Sequence, residues 1–155
     1  MRFPALAVLF VTFVLTLAAG GAAMEPSLLF ATLTAGDRSA IQTPTQVVVR
    51  TAAEWQTLWR RHTAALTEVP APPRVDFTRE MVIAVFAGRV ESSTRMSILR
   101  ITREANRLVV LVRMAETQPG PEPVGTGVRT PFHIVRIARS SLPVVFVRAR
   151  APDIY

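Results

Sequence analysis

The sequence predicts an α+β domain: one predominantly antiparallel β-sheet of five to seven strands, with one main helix packed on it. Three observations carry that reading. Short runs of alternating or continuous apolar residues, bounded by Gly, Pro and polar clusters, recur along the chain as strands do. A single segment, TAAEWQTLWRRHTAAL at 51–66, has clear helical periodicity. The further helices that parallel βαβ crossovers require are missing from the pattern.

The elements follow in order. EPSLLFATLTAGDRSAIQTPTQVVVR, 25–50, reads as a modest strand, a turn at Gly36-Asp37 and a β-branched run from Val47 to Val49. The helix starts at Thr51. Threonine at the N-cap and Glu54 three positions on form a capping box, each satisfying a backbone N–H that has no intrahelical partner. Trp55, Leu58, Trp59 and His62 then recur as one buried stripe, with Arg60 and Arg61 on the other side. Pro70, Pro72 and Pro73 make an extended connector. In VDFTREMVIAVFAG, 75–88, Asp76 to Glu80 is a turn and Met81 to Ala87 is continuously apolar, a central strand covered on both faces and closed by Gly88. RMSILRITR and RLVVLVRM form a hairpin through Glu104-Ala105-Asn106, with Leu108, Val110, Val112 and Met114 facing inward. A long connection, Ala115–Thr130, holds three prolines and three glycines, and such length in a small domain points to a contact surface or a solvated connector. Closing strands are expected at Phe132–Ala138 and Pro143–Val147.

The N-terminus reads as an export signal. Arg2 precedes an uncharged run from Phe3 to Met24, and Gly21-Ala22-Ala23 fits a small-x-small cleavage site. Residues 1–23 are therefore expected to be a signal peptide, and retention of that segment as an anchor is the alternative. Without it the chain is expected to make no stable membrane insertion. The absence of cysteine excludes disulfides, thiolate nucleophiles and a lipid-modified cysteine. All eighteen basic residues are arginine, against eleven acids, and the net charge is +7. That excess favours an anionic envelope surface or an acidic protein. Nucleic acid is disfavoured by export and by arginines spread without aromatic interleaving.

No constellation of residues points to catalysis. His133 would share a strand face with Val135, Ile137 and Arg139, among core residues, where a neutral hydrogen-bonded ring is the usual state. His62 lies on the tryptophan stripe. A metal site from the histidines with Asp76, Glu80 or Glu91 lacks the close spacing of a local ligand motif. No serine sits in a G-x-S-x-G elbow. Asp76 and Glu80 read as a capping arrangement, with an arginine screening Glu80. Trp55 and Trp59 at helical spacing read as core before ligand platform. No catalytic, cofactor-binding or metal-binding residue is assigned, and no cofactor is expected.

The order of these pieces resembles a known family. EWQTLW in a capped helix, then VDFTREMVIAVFAG, then a Pro/Gly loop leading to TPFHIV, is similar to the C-terminal domain of the PrcB family, protease-complex subunits of bacterial cell envelopes. The resemblance spans Gln46 to Val147 and rests on Glu54, Trp55, Leu58, Trp59, Asp76, Phe77, Gly88, Pro131, Phe132, His133, Ile134 and Val135. It departs after Gly88, where RVESSTRMSI stands in place of a glycine-rich turn ending in an aromatic. It divides the chain into the signal at 1–23, an N-terminal extension or edge strand at 24–45, and a PrcB C-terminal-like domain at 46–155. It implies an exported, non-catalytic accessory subunit that helps a secreted or surface protease assemble or remain stable. Two alternatives stand beside it: a secreted protease inhibitor presenting PGPEPVG, and an envelope domain binding anionic lipid or polysaccharide. A hydrolase or lyase using His133 with Asp76 or Glu80 is the enzymatic alternative.

Overall fold

The computed structural model describes residues 27–91, 94–116 and 127–149. In chain order these form β1 (Phe30–Gly36), β2 (Thr45–Val49), α1 (Ala52–Thr63), β3 (Glu80–Phe86), β4 (Val90–Glu91), β5 (Thr94–Arg103), β6 (Leu108–Glu116), β7 (Val128–Arg129), β8 (Phe132–Ala138) and β9 (Val144–Arg148). The class is α+β, with mostly antiparallel strands and one helix, as the patterning predicts.

The strands divide into two main sheets rather than one. β1-β8-β3-β2 is antiparallel throughout, and β5-β6-β9 contains one parallel pair, β6 with β9. The short strands β4 and β7 pair separately. The reason for two sheets lies in β3. Every residue from Met81 to Phe86 is buried, so each face needs its own cover. Val82, Ala84 and Phe86 point to α1, where they pack with Trp55, Leu58 and Trp59. Met81, Ile83 and Val85 point the other way, onto Ile98, Ile101, Leu108 and Val110 of the second sheet. The result is three layers: helix, four-stranded sheet, three-stranded sheet. β8 obeys the same alternation, with Phe132 and Ile134 toward the helix and Val135 and Ile137 toward the second sheet.

The helix begins as its sequence dictates. The Thr51 side chain accepts from the Glu54 amide at 3.2 Å, and Glu54 Oε2 accepts from the Thr51 amide at 3.1 Å. The Arg50 amide, which donates to Glu54 Oε2 at 2.9 Å, and then Thr51 hold the Glu54 carboxyl below its ordinary range. The buried stripe is Trp55, Leu58, Trp59 and His62, and Arg60 and Arg61 are exposed.

The tryptophans also hold the proline connector. Trp55 Nε1–H donates to the Pro73 carbonyl at 3.0 Å and Trp59 Nε1–H to the Pro70 carbonyl at 2.8 Å. Indole rings that pack into the core by their faces thus use their edges to tie down a segment with few amide donors of its own. Trp59→Phe is expected to cost about 1–3 kcal/mol in urea unfolding, from the lost bond together with the buried volume that the smaller ring leaves unfilled. Proteolytic nicking between Thr67 and Pro73 should rise in parallel.

Two irregularities position the site described next. β1 carries a bulge between Thr32 and Thr34, and β5 one between Ile98 and Arg100. Each inserts a residue and reverses the strand's facing beyond it. On β5 this lets Ile98 and Ile101, three residues apart, both point inward.

Candidate functional site

His133 sits between the two main sheets. Ile98 N–H donates to His133 Nδ1 at 2.8 Å, and the Nε2 side meets Thr32 Oγ1 at 2.9 Å. An amide has only a proton to give, so Nδ1 must present its lone pair. The ring is therefore the neutral Nε2–H tautomer, donating to Thr32. Burial lowers its pKa, because a charged ring there loses its hydration. His133 thus joins β8, β1 and β5 through both ring nitrogens.

His62 occupies the opposite side of β8, against the helix. Its ring lies 4.3 Å from the Phe132 ring centre and 5.7 Å from that of Phe86, and its Nδ1 is 2.9 Å from Ser39 Oγ. Burial lowers this pKa as well. The cations in the helix's last turn are the exposed Arg60 and Arg61, and the buried His62 ring faces the core. The helix's end is also met by backbone, Ala40 N–H donating to the His62 carbonyl at 2.9 Å.

The carboxylates lie at the far end of the central strands. Val85 is opposite His133, while Glu80 is opposite Ala138. Five strand residues, roughly 17 Å, separate the two positions. Glu80 pairs with Arg136 at 3.3 Å and also accepts from the Asp76 amide. Asp76 Oδ1 accepts from the Thr78 hydroxyl and amide, and these bonds hold its carboxyl below the ordinary range. This is the capping arrangement read from the sequence. It does not bring Glu80 to His133. Among the described residues, no group of three or more His, Cys, Asp or Glu is placed to hold a metal ion.

The feature that sequence reasoning missed is a groove of about 750 Å³ at the other end of the sandwich. Its walls come from Ala35, Gly36 and Asp37 at the end of β1 and from Thr94 to Ser97 at the start of β5, with Pro131 and Phe132 between them. Arg95, Arg113 and Arg129 line it, against one described carboxylate, Asp37, which Arg129 engages at 2.7 Å. Arg113 stands opposite Ser97 and Arg95 opposite Ala115, so these four share one face of the β5–β6 hairpin. Among the described residues, Arg95 and Arg113 have no ion-pair partner. A second network underlies the groove's rim: Thr130 N–H donates to the Asp37 carbonyl and Ser39 N–H to Thr130 Oγ1, and Ser39 is the residue that meets His62.

Hydrogen-bond parity explains why the groove stays open. In an antiparallel pair, successive residues turn their backbone groups alternately toward and away from the partner strand. The Ile98 amide bonds His133, so Ile98 faces away from β6, and Met96 and Thr94 do likewise. Beyond the bulge Ile101 also faces outward, and its carbonyl accepts from Leu28 N–H at 2.7 Å. The outer edge of β5 is thus covered by the chain at Ile101 and by His133 at Ile98. At Met96 and Thr94 it meets the groove. The only hint in the sequence was an arginine near the outer end of each hairpin strand, Arg95 and Arg113. Which backbone groups faced outward depended on a bulge that no residue pattern marks.

PGPEPVG, the basis of the inhibitor reading, and the 1–23 signal lie outside the described residues, as does most of Ala115–Thr130. No helix among the described residues is long and apolar enough to cross a membrane. Comparison with known families, with curated proteins and with solved structures found no match.

Proposed function

We propose that this chain is an exported, non-catalytic binding or accessory protein of the bacterial cell envelope, and that a protease is its first partner. The observation that carries the reading is the groove between β1 and β5, where arginines surround a stretch of strand edge. The chemistry-bearing side chains elsewhere support it. Both histidines and the Asp76–Glu80 pair are engaged in bonds that hold the fold, and they are distributed over different layers and ends of the sheet. A subunit of this kind acts by mass action. It binds the folded enzyme and stabilises it by RT ln(1 + [L]/Kd), about 2.7 kcal/mol at a hundredfold excess over Kd.

The test is a crosslinking pull-down with the mature chain, Met24 to Tyr155, from its own envelope and secreted fraction, read by mass spectrometry. Recovery of one protease in stoichiometric amount, with turnover unchanged and lifetime extended, is the expected outcome. Loss of turnover would replace the accessory role with inhibition. Recovery of nothing above background would overturn the reading. The arginines of the groove also suit the second reading, an envelope domain for anionic lipid or polysaccharide. In that case binding to vesicles or glycans should weaken steeply with salt, because exposed charges are screened within about 8 Å at physiological ionic strength.

A further inference from the structure

We propose that the groove captures an extended, acidic segment of a protein partner by strand addition to the free edge of β5 at Thr94–Met96. The inference deepens the binding-protein reading and rests on it. Three features of the groove specify this occupant. The first is backbone chemistry. Thr94 and Met96 turn their N–H and C=O groups away from β6, toward the groove, and among the described residues none is met by another backbone group. An extended peptide satisfies such a row in register, as the chain itself does further along, where Leu28 bonds Ile101.

The second feature is the alternation of side chains. In an added strand, residues opposite Arg95 and Ser97 lie on the face that also carries Arg113, and residues opposite Met96 lie on the inward face. The fitting sequence alternates carboxylate with a medium-sized apolar side chain. Carboxylates meet the two guanidiniums in charge-assisted bonds, and the apolar residues extend the core at Met96 and Phe132. Asp37 does not oppose this arrangement, because Arg129 already neutralises it. The third feature is exclusion of a second copy of this chain. Pairing of two β5 edges sets Arg95 and Arg113 of one copy near the same arginines of the other, and like charges facing across strands are destabilising.

The experiment is a fluorescence-anisotropy titration of the mature chain with a labelled peptide of about eight residues alternating Glu and Val. Controls are the Lys–Val counterpart and a Glu–Val peptide N-methylated at alternate amides, in both parities. Two protein variants complete the set. R95E/R113E reverses the charge. Met96→Pro removes the outward N–H, and proline is tolerated at edge positions whose N–H does not serve the ladder. Retained far-UV circular dichroism and a cooperative thermal transition would establish that each variant folds.

The expected result is saturable binding of the Glu–Val peptide and none of the Lys–Val peptide. Methylation in one parity should weaken binding at least tenfold and in the other hardly at all, and both variants should weaken it at least tenfold. No saturable binding, or equal effects of both parities, would overturn strand addition. So would binding to phosphatidylglycerol vesicles that Met96→Pro leaves intact while the peptide fails. The pull-down separates the two levels of the argument. A partner retained equally by the wild type and Met96→Pro sinks this mode of capture and leaves the accessory reading standing, whereas an empty pull-down sinks both.

Discussion

Gly88→Ala is expected to destabilise the protein by about 2–5 kcal/mol. Gly88 has φ 73°, in the left-handed region. A Cβ there meets its own backbone, which costs roughly 1–2 kcal/mol. It also meets neighbouring main chain: the added carbon falls 2.7 Å from the Pro44 nitrogen and 2.8 Å from the Gln42 carbonyl oxygen. Relief by side-chain rotation is closed off, since both contacts are backbone. The Gln42 carbonyl is further held by Arg89 N–H at 3.0 Å. Forcing these apart adds about 1–3 kcal/mol, as overpacking does elsewhere. A domain of this size should lose on the order of 10 °C in its thermal midpoint. Gly36→Ala is the control. Its added carbon meets only side-chain atoms, the Phe132 ring at 3.1 Å, and Gly36 is not in the left-handed region, so the loss should be clearly smaller than at Gly88. Equal losses for the two variants would refute the backbone explanation.

Gly88 also shows how much of the fold was legible in the chain. Its position after a continuous apolar run marked the end of a central strand, and the structure ends β3 at Phe86. The capped helix, its stripe and the β5–β6 hairpin were legible for the same reason: each is a local pattern whose period or cap is written in adjacent residues. The division into two sheets was not. Burial on both faces of β3 called for two covers, but nothing local to β5 or β6 says that they leave the first sheet to supply one. The parallel pairing of β9 with β6 is likewise decided by long-range packing. The site was less legible still. His133 could be assigned to the core from its neighbours, while its bond to the Ile98 amide depended on the bulge in β5. The groove arises from the same bulge, because it sets which backbone groups face away from β6.

Acid should destabilise this protein earlier than its carboxylates alone would dictate, and His133 should be one cause. Both His62 and His133 have pKa values lowered from 6.5 by burial. Above pH about 6.5 each is neutral in the folded and unfolded chain, and its full contribution to stability is present. Below that value the unfolded chain takes up the proton first. It then binds more protons than the folded state, so stability falls with falling pH until the folded ring is protonated too. With both groups shifted in the same direction, their contributions to this slope add. For His133 the structural reason is specific. A second ring proton on Nδ1 would face the Ile98 N–H, turning a 2.8 Å bond into a donor–donor contact. His133→Leu should therefore do two things. At pH 7.5 it strands the Ile98 amide and costs about 1–3 kcal/mol. Between pH about 6.5 and 5.5 it leaves the contribution of His62 alone, so the fall in stability with pH should be shallower than in the wild type. Urea midpoints across pH 5–8 measure both effects, and nitrogen chemical shifts of the imidazoles report the tautomer directly. A wild-type midpoint that is flat from pH 7.5 to 5.5, or a His133 signal of the Nδ1–H form, would show that the histidine does not link the two sheets as described.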